Sequence, residues 1–291
     1  MALKKKVEEP KKKYAPASQS KASVPAVKEK ADVPSTEAID FSADSGKGME
    51  GADKSAFAIP FLIMLQTNSP QLETIPEAKA GLLMNTITNE LYEEIKVVPC
   101  SYQRKFIRWA PRSQGGGFKG MYQPEEVETG KLEGCLLHEG TYYVDVPKGA
   151  SPVDKEGKPA YDHLADTRGH FVLAQNGEGG WMPALLSLGS TQIKKSKRWM
   201  SLISGIEMKD GQGKAFNPPS FSHTYLVTAE KEENAKGSWW GVNITLDGPV
   251  VDPQLYRAAK QFYESVREGK VEATPPPSGG EDGGAAASGK F

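Results

Sequence analysis

The chain has 291 residues, 38% hydrophobic and 25% charged, with 36 Lys and Arg against 37 Asp and Glu for a net charge of −1. That length accommodates one large domain or two small ones, and the near-neutral total removes any global electrostatic argument for nucleic acid or an anionic membrane. The first apolar run, residues 57–65, is too short and too late for a signal peptide or a membrane span, and Cys100 and Cys135 form no CxxC pair, so the expectation is a cytoplasmic chain with reduced thiols packed in the core.

Residues 1–54 carry lysine triplets at 4–6 and 11–13 among Ala, Ser and Pro, with nine Lys against four acids up to residue 34. Such a stretch buries too little apolar surface to offset its ordering entropy. A disordered basic arm is expected there, either attracting phosphates without sequence preference or simply solubilising the chain. Residues 55–270 are expected to form a single folded core. Residues 271–291, dominated by TPPPSGGEDGGAAASGKF, read as a second disordered tail of low complexity.

Within the core, strands dominate. Residues 94–109 are rich in Val, Ile, Tyr and Phe and predict one long strand. Residues 171–175 and 181–188, joined by Asn-Gly-Glu-Gly-Gly, predict a hairpin, and residues 224–229 and 238–246 predict another around the charged loop AEKEENAKG. Two helices are expected. The first runs from a Ser190 cap to Gly205, with Ile193, Met200 and Ile203 near one face. The second opens with Asp252-Pro253, carries the stripe Leu255, Ala259, Phe262 and Val266, and ends at Gly269. It is expected to pack on the sheet and close the domain. Trp239-Trp240 sits in a strand, so one ring faces the core and the other is a candidate homo-oligomer interface or base platform.

Two basic segments stand out. Residues 96–124 hold Lys96, Arg104, Lys105, Arg108, Arg112 and Lys119 and no acid. Strand alternation puts Tyr102, Arg104, Phe106 and Arg108 on one face and Lys105, Ile107 and Trp109 on the other. Rings stack on exposed bases and guanidinium groups neutralise phosphates, so the segment suits single-stranded nucleic acid, or it is a solvated edge strand over a core. The run Gly115-Gly116-Gly117 beside Phe118, Lys119 and Tyr122 suggests a flexible loop, without the spacing of a P-loop. The second segment is Lys194, Lys195, Lys197 and Arg198, followed by Trp199, on the first helix. It reads as a continuation of the same track, as a plain charged face, or as a short membrane-surface helix.

Signals for catalysis are thin. In YDHLADTRGH, Asp162, His163, Asp166 and His170 invite a metal reading but show no standard zinc spacing, and GxSxG, HExxH and Rossmann fingerprints are missing. No catalytic residue, metal or cofactor is expected.

The runs IPFLIMLQTNSPQL, AKAGLLMNTITNELYEEIKVVPC and RKFIRWAPRSQGGGFKG, with LLSLGSTQIKKSKRWMS and KGSWWGVNITLDG, resemble a group of bacteriophage early-region single-stranded DNA-binding proteins over residues 55–270. The resemblance implies a strand-rich α+β fold, an OB-like antiparallel core with two or more packed helices, that coats single strands during replication, recombination or transcription in the host cytoplasm. Tyr102, Arg104, Lys105, Phe106, Arg108, Trp109, Arg112, Lys119, Lys194, Lys195, Lys197, Arg198 and Trp199 are then the expected DNA contacts. Proteins of this kind often recruit partner enzymes through an acidic tail ending in Phe. Phe291 fits that pattern, whereas the sparse acids Glu281 and Asp282 and the neighbouring Lys290 depart from it. The alternatives are a phage protein that modulates a host or phage protein such as a polymerase, a metal-dependent nuclease on Asp162, His163 and His170, and a virion structural protein.

Overall fold

A computed structural model of the chain describes residues 44–45, 47–51, 58–234, 237–271 and 273. Residues 1–50 and 51–291 are separate units. In the first, the described residues make a short turn in which Lys47 pairs with Asp44. The lysine triplets and the arm expected around them lie outside the described residues, as do residues 274–291.

The second unit is strand-rich α+β. Its strands are β1 (Phe61–Met64), β2 (Leu83–Asn85), β3 (Leu91–Tyr92), β4 (Glu94–Trp109), β5 (Phe118–Tyr122), β6 (Cys135–His138), β7 (Thr141–Val144), β8 (His163–Gln175), β9 (Trp181–Gly189), β10 (Met208–Lys209), β11 (Ala215–Phe216), β12 (His223–Asn234) and β13 (Gly237–Pro249). Its helices are α1 (Gln71–Thr74), α2 (Pro124–Glu128), α3 (Ile193–Ser204) and α4 (Pro253–Arg267). One sheet runs β13-β12-β4-β8-β9-β1-β2-β3, with β5 on the end of β4 and the β6–β7 ribbon beside β8, while β10 and β11 pair apart from it. Its pairings are antiparallel except β1 with β9. The sheet curls into a half-barrel, in keeping with the OB-like core expected.

The long strand and both hairpins form where the sequence predicts them. The segment AEKEENAKG is an exception, because β12 runs on to Asn234 and β13 begins at Gly237. Residues 230–233 therefore lie on β12 itself, with Lys231 and Glu233 exposed and Glu230 and Glu232 paired with Lys195 of α3.

Pro99 lies inside β4 and brings no amide hydrogen to the ladder. The register with β8 shifts between Pro99 and Ser101, so Cys100 is the extra residue of a bulge. Val97 and Pro99 then share a face with Tyr102, Arg104, Phe106 and Arg108. Val98, Cys100, Ser101, Gln103, Lys105 and Ile107 share the other, as the alternation of residues 102–109 predicts.

On the first face Val97, Val172, Leu186, Tyr225 and Val227 pack under α3, whose Trp199 is fully buried. On the second, Val98, Cys100, Phe171 and Leu173 pack under α4 through Leu255, Ala259, Phe262 and Val266. The α4 start is as expected: the Asp252 side chain accepts from the Gln254 amide at 2.8 Å, with Pro253 in the first turn. The α3 start is not. Ser190 has φ +48° and opens a short 3-10 turn to Gln192, α3 begins at Ile193 without a side-chain cap, and Gly205 stays right-handed at φ −83°. The turn swings the Gln192 side chain inward.

Two glutamines then close the edge of β13. The Gln66 amide donates to the Trp240 carbonyl at 2.7 Å and accepts from the Trp240 amide at 2.8 Å, the two-bond exchange a neighbouring strand would make. The Gln192 oxygen accepts from the buried Val242 amide at 2.9 Å, and Gly241 leaves room for it, since a Cβ there would lie 2.6 Å from the Gln192 nitrogen. Replacing Gln192 by Ala strands the Val242 amide, so urea denaturation is expected to show a loss of about 1–3 kcal/mol, and Gln66→Ala a loss of about 1–2 kcal/mol.

Candidate nucleic-acid interface

The acid-free run on β4 does not make an acid-free surface. Arg104 lies opposite Arg168 on β8, two like charges held together by Asp166. Asp166 takes Arg104 in a two-pronged bond, Nε at 3.0 Å and Nη2 at 2.8 Å, and accepts from Arg168 Nη2 at 2.9 Å. Glu128 of α2 adds a second carboxylate to Arg104 at 2.7 Å, and Arg168 also donates to the Tyr102 hydroxyl at 2.9 Å. Arg108 donates to Asp162 at 2.7 Å and to Asp145 at 2.8 Å. These guanidinium groups are committed within the protein.

The rings of the segment are committed too. Phe106 packs in a small core with Val127, Val144 and Leu164, beneath the Arg104 guanidinium 5.1 Å from its centroid. Trp109 is buried with Phe118 edge-on at 6.1 Å. Neither ring is placed as the exposed stacking platform expected of it. Arg112 and Lys119 are exposed on either side of the loop Gly115–Gly117, whose three glycines are all left-handed. Lys105 is half-buried on the opposite face of β4.

On α3 the expected residues divide. Lys195 turns inward and pairs with Glu230 and Glu232 of the β12 arm. Trp199 is core rather than platform: it stacks on His170 at 4.6 Å and meets Tyr225 edge-on at 5.6 Å. Ser196, one turn earlier, bonds His170 Nε2 through its hydroxyl at 2.8 Å. The buried stripe therefore runs Gln192, Ser196, Trp199, Ile203 instead of following Ile193 and Met200. That phase leaves Lys194, Lys197 and Arg198 on the solvent side.

The helix leads into a feature that the sequence reading misses. β10 and β11 form a small exposed hairpin in which Met208 lies opposite Phe216. The Asp210 carboxylate shapes its turn by accepting from the Gln212 and Lys214 amides at 2.9 and 3.0 Å. Asn217 ties the hairpin to α3 by donating to the carbonyls of Ser204 at 3.2 Å and Ile206 at 3.0 Å. One of these is a carbonyl that a helix C-terminus leaves unpaired. Phe216 is 44% exposed on this hairpin, which also carries the exposed Lys209 and Lys214, and Leu202 is exposed on the last turn of α3. Residues 189–217 hold six Lys or Arg against two acids. The signal lay in Met-Lys-Asp-Gly-Gln-Gly-Lys-Ala-Phe, an Asp-Gly turn between two large apolar residues.

The residues of the metal reading are dispersed. His163 and His170 are seven apart on β8 and face opposite sides, Asp162 is held by Arg108, and His170 is held by Ser196. Among the described residues no group of three or more His, Cys, Asp or Glu is placed to hold a metal ion, and no helix is long and apolar enough to cross a membrane. Cys100 is buried, which pushes its thiol up to about 12.

Residues 27–272 match the family model described as Pam3 phage gp34-like protein. The chain belongs to the Pam3 phage gp34-like family. No curated protein and no solved structure matches it. The phage origin implied by the resemblance is thereby established, while the gp34-like description itself names no ligand.

His170 gives this gp34-like core a pH dependence. Burial, and then the charge of Arg168, lower its imidazole to about 3. The folded state therefore holds it neutral, while the unfolded chain takes up a proton below about 6.5. The stability it contributes is complete above that pH and is lost as pH falls towards 3, at about 1.4 kcal/mol per unit. Between pH 7 and pH 5 His170→Gln is expected to lose about 2 kcal/mol less stability than the parent chain in urea titrations.

Proposed function

We propose that this phage protein binds single-stranded DNA without catalysing a reaction, through the outer face of α3 and the β10–β11 hairpin. The observation that carries this reading is an exposed aromatic ring, Phe216, on a hairpin pinned to the end of α3, with Lys209 and Lys214 exposed on the hairpin and Lys197 and Arg198 exposed on the helix. A ring held on a rigid support stacks on an unpaired base for about 1–3 kcal/mol, and the surrounding cations follow the phosphates. Arg112 and Lys119 are further exposed cations, at the glycine loop. Such a protein would serve replication, recombination or transcription wherever strands are exposed. The arginines of β4 belong to the scaffold in this reading.

Fluorescence anisotropy with an oligo-dT tests it. Four phosphate contacts give log K against log salt a slope of roughly −3. Charge reversal at Lys197 and Arg198 together is expected to weaken binding by more than ~10-fold and flatten that slope. Phe216→Ala is expected to cost about 1–3 kcal/mol of binding at unchanged slope. Failure of the parent chain to bind at about 50 mM salt ends the reading.

A second reading, docking to a protein such as a polymerase, is favoured by the β6–β7 ribbon. Among the described residues β6 pairs with β7 alone, and Leu136 and Leu137 are 43% and 56% exposed. An open edge strand without Lys or Pro invites another strand. If this reading holds, Leu136→Ser with Leu137→Ser abolishes binding to purified polymerase in a surface-resonance assay and leaves oligo-dT binding intact.

A further inference from the structure

The sheet face that carries α4 is not apolar throughout. Strand register sets Gln103 opposite Gly169 and Gly169 opposite Ser187, with Lys105 opposite Thr167 on the same face. Two strand spacings, roughly 10 Å, therefore separate Gln103 from Ser187, and the residue between them has no side chain. A Cβ at Gly169 would stand 3.3 Å from Leu185 Cδ1 and 3.5 Å from the Gln103 carbonyl oxygen. At this point lies an open hollow of about 60 Å³.

Four donors line it. Among the described residues the Gln103, Lys105 and Ser187 side chains have no hydrogen bond or ion pair, while the Thr167 hydroxyl donates to the Ala165 carbonyl at 3.1 Å. No Asp or Glu is part of the lining, so the charge of the half-buried Lys105 is uncompensated there. Asp166, next to Thr167 on β8, points to the other face, where Arg104 and Arg168 hold it. An ammonium drawn partly out of water and given no carboxylate favours an anion beside it.

We propose that this hollow binds one phosphate group. A water centre needs about 10–15 Å³, so the space admits about four or five groups of that size, enough for a phosphate but not for a base or a sugar. Gln103 and Lys105 reach in from β4 and Ser187 from β9, so an amide, an ammonium and a hydroxyl meet the ligand from different sides. A tetrahedral anion offers each of them its own oxygen, which the two oxygens of a carboxylate do not. The hollow is open, so the group that fills it is either the free ion or the phosphate of a larger molecule whose remainder stays in solvent. α3 packs on the opposite face, and this inference does not rest on the DNA-binding reading.

The probe is inorganic phosphate. The readout is the rate at which each lysine of the full chain reacts with an amine-acylating reagent, followed by peptide mass spectrometry. Measured against chloride at equal ionic strength, phosphate is expected to slow Lys105 about fivefold once the site is mostly filled, while Lys197 keeps its rate. No slowing, or equal slowing of Lys105 and Lys197, overturns the proposal. Gln103→Leu with Ser187→Ala is expected to raise the phosphate concentration required by about tenfold or more. An unchanged requirement overturns the proposal, provided that Lys195, held by Glu230, keeps its rate and so reports a folded variant. If Lys195 accelerates, Lys105→Gln decides by calorimetry: loss of the heat of phosphate binding supports the site, and its persistence overturns it. A terminally phosphorylated oligo-dT that slows Lys105 where the unphosphorylated one does not assigns the site to a strand end. If neither does, the ligand is the free ion.

Discussion

Pro99 cannot donate to a ladder, yet β4 runs through the interior of the sheet. The bulge at Cys100 resolves this conflict and fixes every later side chain of the strand. A one-residue slip would send Arg104 and Arg108 to the α4 side and Lys105 and Ile107 to the other. With the bulge in place, Arg104 falls opposite Arg168 and beside Asp166, and Gln103 falls opposite Gly169 on the α4 side. The ion-pair lattice follows from that one insertion.

The lattice shows why charge counted along a strand misleads. The carboxylates that neutralise Arg104 and Arg108 come from β8, from the residue preceding it, from α2 and from Asp145 beyond β7. In sequence, Asp166 is 62 residues from Arg104. Removing one member would leave partly buried charge uncompensated, so these groups answer first to stability and only then to any ligand. The cations of α3 and the hairpin face water instead, except Lys195, which the acidic β12 arm captures.

How much of this was legible depends on the range of the interactions concerned. β4, the two hairpins and α4 are set by local signals: alternation, a Gly-rich turn, and an Asp-Pro start with a left-handed Gly end. They could be read directly, and so could the faces of residues 102–109. The phase of α3 could not. Its sequence offers two stripes, one through Ile193 and Met200 and one through Gln192, Ser196 and Trp199. The choice is made by His170 and Val242, which reach it only through the fold. The partners of the β4 arginines escaped for the same reason, whereas the β10–β11 hairpin carried a local signal that the reading passed over.

That choice of phase explains how one helix can serve two purposes. A ring stacked on His170 and a hydroxyl bonded to its Nε2 hold the inner side, and the Gln192 turn before them closes the β13 edge. Lys197 and Arg198 immediately precede Trp199 in sequence but are exposed where it is buried, because each residue turns about 100° around a helix axis. The outer charges contribute nothing to the core, and the inner ring is closed to ligand. The outer residues of α3 are thus free to vary without loosening the sheet, while two bonds from Asn217 tie the hairpin to the end of the helix.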